Sequence, residues 1–300
     1  MPSSLRRDDA QPEHRKGVTR IMGPWTALTL ILVLAFFFVT PYVLYGLVLR
    51  LIKPTGKASG NVGPFVEVAP EDDERPLVSL LIPAHNEAEH LRSKLNNTLS
   101  LAYPADRLEI IVCSDGSTDA TDEIAKKFEG RGVTLVRNAE RSGKATALKT
   151  LFDASRGGLL VFTDASATLA TDTVARLVHA ATDPTVGVAA ARYVVGGEQA
   201  DPEAGYWGAE AKLRKSEAER EMLLGASGAC YLIRRELFTA PPSDTINDDY
   251  IIPMLARERG FKIAYVHDAT AGDPPTDSSE TLYFRWVRIA YGNYQMLWRH

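Results

Sequence analysis

From residue 77 to residue 163, short apolar runs of strand length alternate with amphipathic runs of helical length, and that alternation leaves few folds open. The apolar runs fall at 77–82 (LVSLLI), 108–114 (LEIIVCS), 133–136 (VTLV) and 158–163 (GLLVFT), and helices are predicted between them at about 87–100, 119–129 and 144–155. Repeated right-handed β-α-β crossovers of this kind build a parallel sheet with helices on both faces. Ligands of such sheets bind where the strands end. The predicted class is therefore α/β, a nucleotide-binding sheet with flanking helices.

Beyond Asp164 the pattern changes. A helix is expected at about 171–182, a strand at 186–194, an amphipathic helix near 206–222, a Gly-rich turn at 225–229 (GASGA) and a strand at 262–266, so the second half is mixed rather than doubly wound. Residues 280–298 (ETLYFRWVRIAYGNYQMLW) carry the aromatic and Arg spacing of an amphipathic helix lying in a membrane interface.

The 300 residues, 45% of them hydrophobic, can bury a substantial core. A net charge of −4 and the absence of a basic patch argue against nucleic acid as a partner. Cys113 and Cys230 each sit inside an apolar run without CxxC spacing, which predicts reduced core thiols. Residues 25–49 contain no charged side chain, and as one helix would span about 37 Å, enough to cross a bilayer. Pro41 is expected to kink that helix. The expected organisation is a tail at 1–23, a transmembrane helix at 24–52, a Pro-, Gly- and acid-rich linker at 53–76, a catalytic domain at 77–278 and the interfacial helix at 279–300.

Three predicted strands run into polar loops, IPAHNE, SDGSTD and TDAS, which a parallel sheet would bring to one edge. Asp119 is expected to cap the helix that follows it. Asp115 directly follows an apolar strand and precedes Gly116, which would let a ligand approach the backbone. Asp248 and Asp249 are neighbours at a helix start and point about 100° apart, so one task for both is not expected. A cap by Asn247, with both acids favouring the positive helix end, accounts for NDDY as well as a catalytic role does. The histidines His85, His90, His179 and His267 show no metal-binding register.

Seven segments, SLLIPAHNE, EIIVCSDGSTDAT, RSGKATAL, VFTDAS, GASGACYLIRREL, INDDYIIP and RWVRIAYGN, together resemble the family 2 glycosyltransferases in order and spacing. Within that family the resemblance is to the membrane-anchored synthases of the cellulose, chitin, hyaluronan and poly-N-acetylglucosamine group. It implies a GT-A-type fold and a hexosyltransferase that moves a sugar from a UDP-sugar, with inversion, to a growing polysaccharide or glycolipid. By the same resemblance Pro83, Glu87 and Asp115 meet the nucleoside, and Lys144, Arg285 and Arg288 belong to the nucleotide's diphosphate side. Asp164 matches the first aspartate of the family's DxD, which holds Mg²⁺ or Mn²⁺. Ser166 stands where many relatives have a second aspartate, so its contact with metal would be indirect, through water or a neighbouring ligand, as would that of Asp248. Asp249 matches the general base. Arg285 and Ile289 replace the Gln and Trp of the family's QxxRW, and Trp207, Trp286 and Tyr294 are candidate sugar-stacking residues.

Because UDP-sugars are cytosolic, the catalytic domain is expected on the cytoplasmic side of the cell membrane, although the basic residues before the apolar run do not favour it. A partner membrane protein for product export is a further expectation. Two other functions fit less well: a nucleotidyltransferase or Rossmann oxidoreductase, for which GxGxxG and Walker A sequences are missing, and a non-catalytic sugar-nucleotide-binding assembly subunit, which Ser166 would suit.

Overall fold

A computed structural model describes residues 23–40, 44–54, 75–195, 202–273 and 279–299. The chain divides into two compact units, Met1–Leu51 and Ile52–His300. In the first, the apolar run is helical on both sides of residues 41–43, with α1 at Pro24–Val39 and α2 at Tyr45–Leu51. The 16 residues of α1 reach about 24 Å. Among the described residues no helix is long and apolar enough to cross a membrane. Pro41, most of the tail and most of the linker lie outside the described residues.

The second unit is built on one eight-stranded sheet. Its strands are β1 (Val78–Ala84), β2 (Leu108–Asp115), β3 (Val133–Asn138), β4 (Leu159–Phe162), β5 (Thr168–Leu169), β6 (Val186–Val195), β7 (Tyr231–Arg234) and β8 (Lys262–Asp273), in the spatial order β3-β2-β1-β4-β7-β6-β8-β5. The first four predicted strands pair in parallel, as the alternating sequence requires. β7 then runs antiparallel to both β4 and β6, and β5 antiparallel to β8, which makes the sheet mixed.

Alternation along the strands divides the core into two layers. Leu80, Ile82, Ile110, Val112 and Val161 face one side, where helices α3 (Ala88–Leu99), α4 (Thr121–Lys126) and α6 (Thr173–Ala180) contribute Leu91, Leu95, Ile124, Val174 and Leu177. Leu81, Ile111, Cys113, Leu160 and Phe162 face the other, against Leu148 and Leu151 of α5 (Lys144–Ala154) and Ile252 and Ala256 of α8 (Asp248–Glu258). Both cysteines are buried free thiols, as expected. The helix expected at 119–129 is shorter, because the chain tightens into a 3₁₀ turn at Glu129–Arg131. The helix expected near 206–222 is α7 (Pro202–Ala218).

The last helix, α9 (Ser279–Arg299), is two-sided. One face meets the loop before α8, where Asn247 Nδ2 donates to Asn293 Oδ1 (2.8 Å), Gln295 Nε2 donates to the Asp244 carbonyl (2.9 Å) and Arg299 pairs with Asp244. The other leaves Tyr283, Phe284, Tyr291, Tyr294, Leu297 and Trp298 exposed.

Candidate active site

The register of β1 with β2 (Ala84↔Ser114) and of β1 with β4 (Leu81↔Phe162) brings the ends of three strands to one edge, as the three polar loops predict. Pro83 lies past the last β1–β4 pair, so its missing N–H breaks no ladder bond on that side. Two of the loops are zipped together. The Glu87 amide donates to Thr121 Oγ1 (2.9 Å), the Ala88 amide to Asp119 Oδ2 (3.0 Å) and the Thr121 amide to Asp119 Oδ1 (3.0 Å). Asp119 thus bridges the first amides of α4 and α3, although the N-cap position of α4 is held by Ala120 and not by Asp119 as expected.

Asp115 is a lock for the next loop. Its carboxylate accepts Asn138 Nδ2 (2.8 Å), Ser142 Oγ (2.7 Å) and the Ser142 and Gly143 amides (3.1 and 2.8 Å). Burial opposes the charge, but these donors outweigh it and hold the carboxyl below its ordinary range. Gly116, with φ +60°, is needed for a different reason from the one expected. A Cβ there would stand 2.3 Å from the Arg141 amide, so the close approach is made by this chain's own 140–141 backbone.

Opposite, a single lysine joins two acidic loops. Lys144, first residue of α5, donates from Nζ to Asp164 Oδ1 at 2.8 Å and lies 3.3 Å from Asp248 Oδ1. Burial works against the Lys144 ammonium, yet the carboxylates of Asp164, Asp248 and Asp249 more than offset it and raise its pKa. Asp248 and Asp249 do divide their tasks, as helix geometry predicts: one faces Lys144, while Asp249 Oδ2 accepts the Gly228 amide at 3.0 Å. Burial first, then the neighbouring Asp248, pushes the Asp249 carboxyl up to about 6. Burial likewise raises Asp248, against the pull of Lys144. Asn247 occupies the N-cap position but makes no side-chain cap bond, because its amide is turned to α9. A side-chain cap by Asn247 therefore does not account for the NDDY segment, while both acids do stand in the first turn of α8.

The Gly-rich turn ties these parts together. Pro253 has no N–H to give to the carbonyl four residues back, and that carbonyl, of Asp249, instead accepts the Ala226 amide at 2.8 Å. Gly228 donates its N–H to Asp249, while its carbonyl accepts the Asp164 amide (3.2 Å). A Cβ at Gly228 would come within 2.9 Å of Asp164 Oδ2. One glycine thus sets the spacing between the two acids singled out in the sequence.

The Asp164 loop is also held from below and from the side. Lys94, buried in α3, donates to Thr163 Oγ1 and to the Ala167 carbonyl, both at 2.6 Å, and burial lowers its pKa to about 8. Its position on an apolar helix stripe beside Leu91 and Leu95 was the sequence signal for this anchor. Ser166 Oγ donates to Asp273 Oδ1 (2.8 Å), a residue the motifs did not single out. Tyr193 OH donates to Asp273 Oδ2 (3.0 Å), and Arg285 Nη2 reaches Tyr193 OH (3.1 Å) and Asp273 Oδ2 (3.4 Å). Arg285 therefore joins the cleft wall, while Arg288 is on the exposed face of α9. Glu87 borders the same cleft, its carboxyl raised mainly by burial, with His90 opposing and Asp164 adding to the rise. Trp207 and Trp286 stack on each other at 6.3 Å, Tyr193 meets Trp207 edge-on at 4.5 Å, and Tyr294 is exposed.

The donor set fits a divalent cation of a particular kind. Asp164 and Asp248 already converge on one positive charge, the Lys144 ammonium. Among the described residues no group of three His, Cys, Asp or Glu side chains could hold a metal unaided. Mg²⁺ and its congeners commonly take one or two carboxylates and complete their shell with substrate phosphates and water. The residues suit a cation shared with a diphosphate.

The model of the glycosyl transferase family 2 matches residues 79–240, more than half of the chain. The chain belongs to that family. A mannosyltransferase from Pyrobaculum calidifontis, solved with GDP-Man and Mn²⁺, superposes with a TM-score of 0.65 at 26% identity, over 86% of this chain and 70% of that one. An N-acetylglucosaminyltransferase from Rhizobium sp. is 26% identical over 77% of this chain, and a beta-monoglucosyldiacylglycerol synthase from Synechocystis sp. is 22% identical over 97%. The chain spans 55% and 64% of those two relatives' lengths. For this family 2 chain the GT-A-like α/β fold expected from the motifs stands, with its sheet mixed.

Proposed function

We propose that the chain is an inverting glycosyltransferase that moves a sugar from a nucleoside diphosphate sugar to a hydroxyl of a polysaccharide or glycolipid. The observation that carries this is Asp249, a half-buried carboxylate raised to about 6 and held by the Gly228 amide, whose own carbonyl accepts the amide of Asp164, the partner of Lys144. In this reading Pro83, Glu87 and Asp115 form the nucleoside side of the cleft and Lys144 and Arg285 the diphosphate side. Asp249 accepts the proton of the acceptor hydroxyl as its oxygen bonds to C1. The bond from C1 to the diphosphate oxygen breaks on the opposite face, and the electron pair leaves with the nucleotide. Lys144 meets the charge that develops there. Asp164 would hold Mg²⁺ or Mn²⁺, which when bound neutralises diphosphate charge. The Pyrobaculum neighbour, solved with GDP-Man and Mn²⁺, supports a sugar nucleotide with a divalent cation; the motif set favours UDP.

Incubation of the purified chain with radiolabelled UDP- and GDP-sugars and candidate acceptors tests this. Label transferred to a larger product, and lost in excess EDTA, is expected; binding of the nucleotide without product from any donor would make the chain an assembly subunit instead.

The same proposal places the first unit in a membrane as an anchor, the exposed aromatic face of α9 against the lipid surface, and the catalytic domain on the cytoplasmic side, with a separate membrane protein exporting product. The apolar composition of residues 25–49 and the exposed Phe284, Tyr291 and Trp298 support it. In sealed inverted vesicles protease should digest residues 54–300, and a protected domain would reverse the topology.

A further inference from the structure

We propose that Asp273 supplies the second carboxylate of the divalent-cation site, the one that Ser166 cannot provide; the inference rests on the metal-dependent reading above. The backbone sets the juxtaposition. β5 runs antiparallel to β8 with Thr168 opposite Gly272, so the next step along the ladder brings Asp273 beside the loop that carries Asp164 and Ser166. Gly272 lets β8 lie close against β6 at the same level, since a Cβ there would lie 1.9 Å from the Val194 carbonyl oxygen.

The side chains agree with this placement. The Ser166 hydroxyl donates to Asp273 Oδ1, and Tyr193 and Arg285 face Oδ2, so the carboxylate is held against the Asp164 loop. A hydroxyl at 166 is neutral and cannot balance a divalent ion, whereas one or two carboxylates with a diphosphate can. An aspartate at 166 would instead put two carboxylates within hydrogen-bond reach, where like charges oppose each other. Serine at 166 and aspartate at 273 are thus complementary in this chain: the loop supplies the hydroxyl and the end of β8 the charge.

Mn²⁺ binding by the full chain, followed by electron paramagnetic resonance with UDP or GDP present, tests the exchange without relying on turnover. Asp273→Asn keeps the size and a hydrogen-bond acceptor but loses the charge, and should weaken Mn²⁺ binding about 10–100-fold with little change in melting temperature. The swap Ser166→Asp/Asp273→Ser should restore binding to near the wild-type value. A purely structural Asp273 would be satisfied by Asn and not rescued by Asp at 166. Unchanged affinity in Asp273→Asn, or a swap that binds no better than Asp273→Asn, overturns the inference while leaving the metal reading intact. Wild-type protein that binds no Mn²⁺ with either nucleotide overturns both. Should Asp273→Asn fail to fold, the swap decides alone.

Discussion

Asp249→Asn is expected to reduce kcat by about 10²–10⁴-fold, the usual loss when a positioned general base is removed, while sugar-nucleotide affinity stays near that of the wild type. The substitution preserves the acceptor oxygen that holds the Gly228 amide and removes only the proton affinity. It should also change the pH profile. A base must be unprotonated to act, and burial with the neighbouring Asp248 carries the Asp249 carboxyl to about 6, so wild-type kcat/KM should fall as pH drops below that value. In Asp249→Asn the residual rate should lack this acid limb. Steady-state kinetics from pH 5 to 8 checks both points; near-wild-type turnover in the variant would reassign the base.

Lys144→Met should produce the other large effect, on binding and pH dependence together. It removes the charge that two carboxylates share, at 2.8 and 3.3 Å. Nucleotide affinity should fall, because the diphosphate loses its nearest cation. The acid limb should also move to higher pH by about 1 unit or more, since an opposite charge within a few ångströms normally lowers a carboxylate by 1–3 units and here it no longer opposes burial. The Lys144 side chain is 34% exposed, which discounts the stability cost of an unpaired Asp248 to something on the order of 2 kcal/mol. Calorimetric titration with UDP or GDP and a pH series measure the two effects. Unchanged affinity and an unmoved limb would place Lys144 outside the site.

The alternating apolar and amphipathic runs of residues 77–163 made the parallel half of the sheet legible, because period 2 and period 3.6 are properties of the local chain. The reversal at β7 was not: YLIR reads alike in either direction, and its orientation is set by pairing with β4 and β6. Asp164 and Asp249 could be found because each ends or begins an element, where a polar residue contrasts with its neighbours. Lys94 and Asp273 could not be found in that way. Lys94 reads as one charge on an otherwise apolar helix stripe, and Asp273 as part of a polar turn. Their significance depends on contacts across 69 to 107 residues of sequence. Gly116 and Asn247 show the opposite error. Both had sound local readings, a ligand approach and a helix cap, and in both a distant partner, the 140–141 backbone or α9, occupies the position instead.

The account turns on a single base delivering the acceptor to the face of C1 opposite the departing nucleotide. The anomeric configuration of the transferred sugar, read by ¹H NMR on product formed from an α-linked sugar nucleotide, tests that geometry most directly. A β-linked product is predicted. An α-linked product would require a second displacement at C1, and would contradict the assignment of Asp249 as the one base of an inverting transfer.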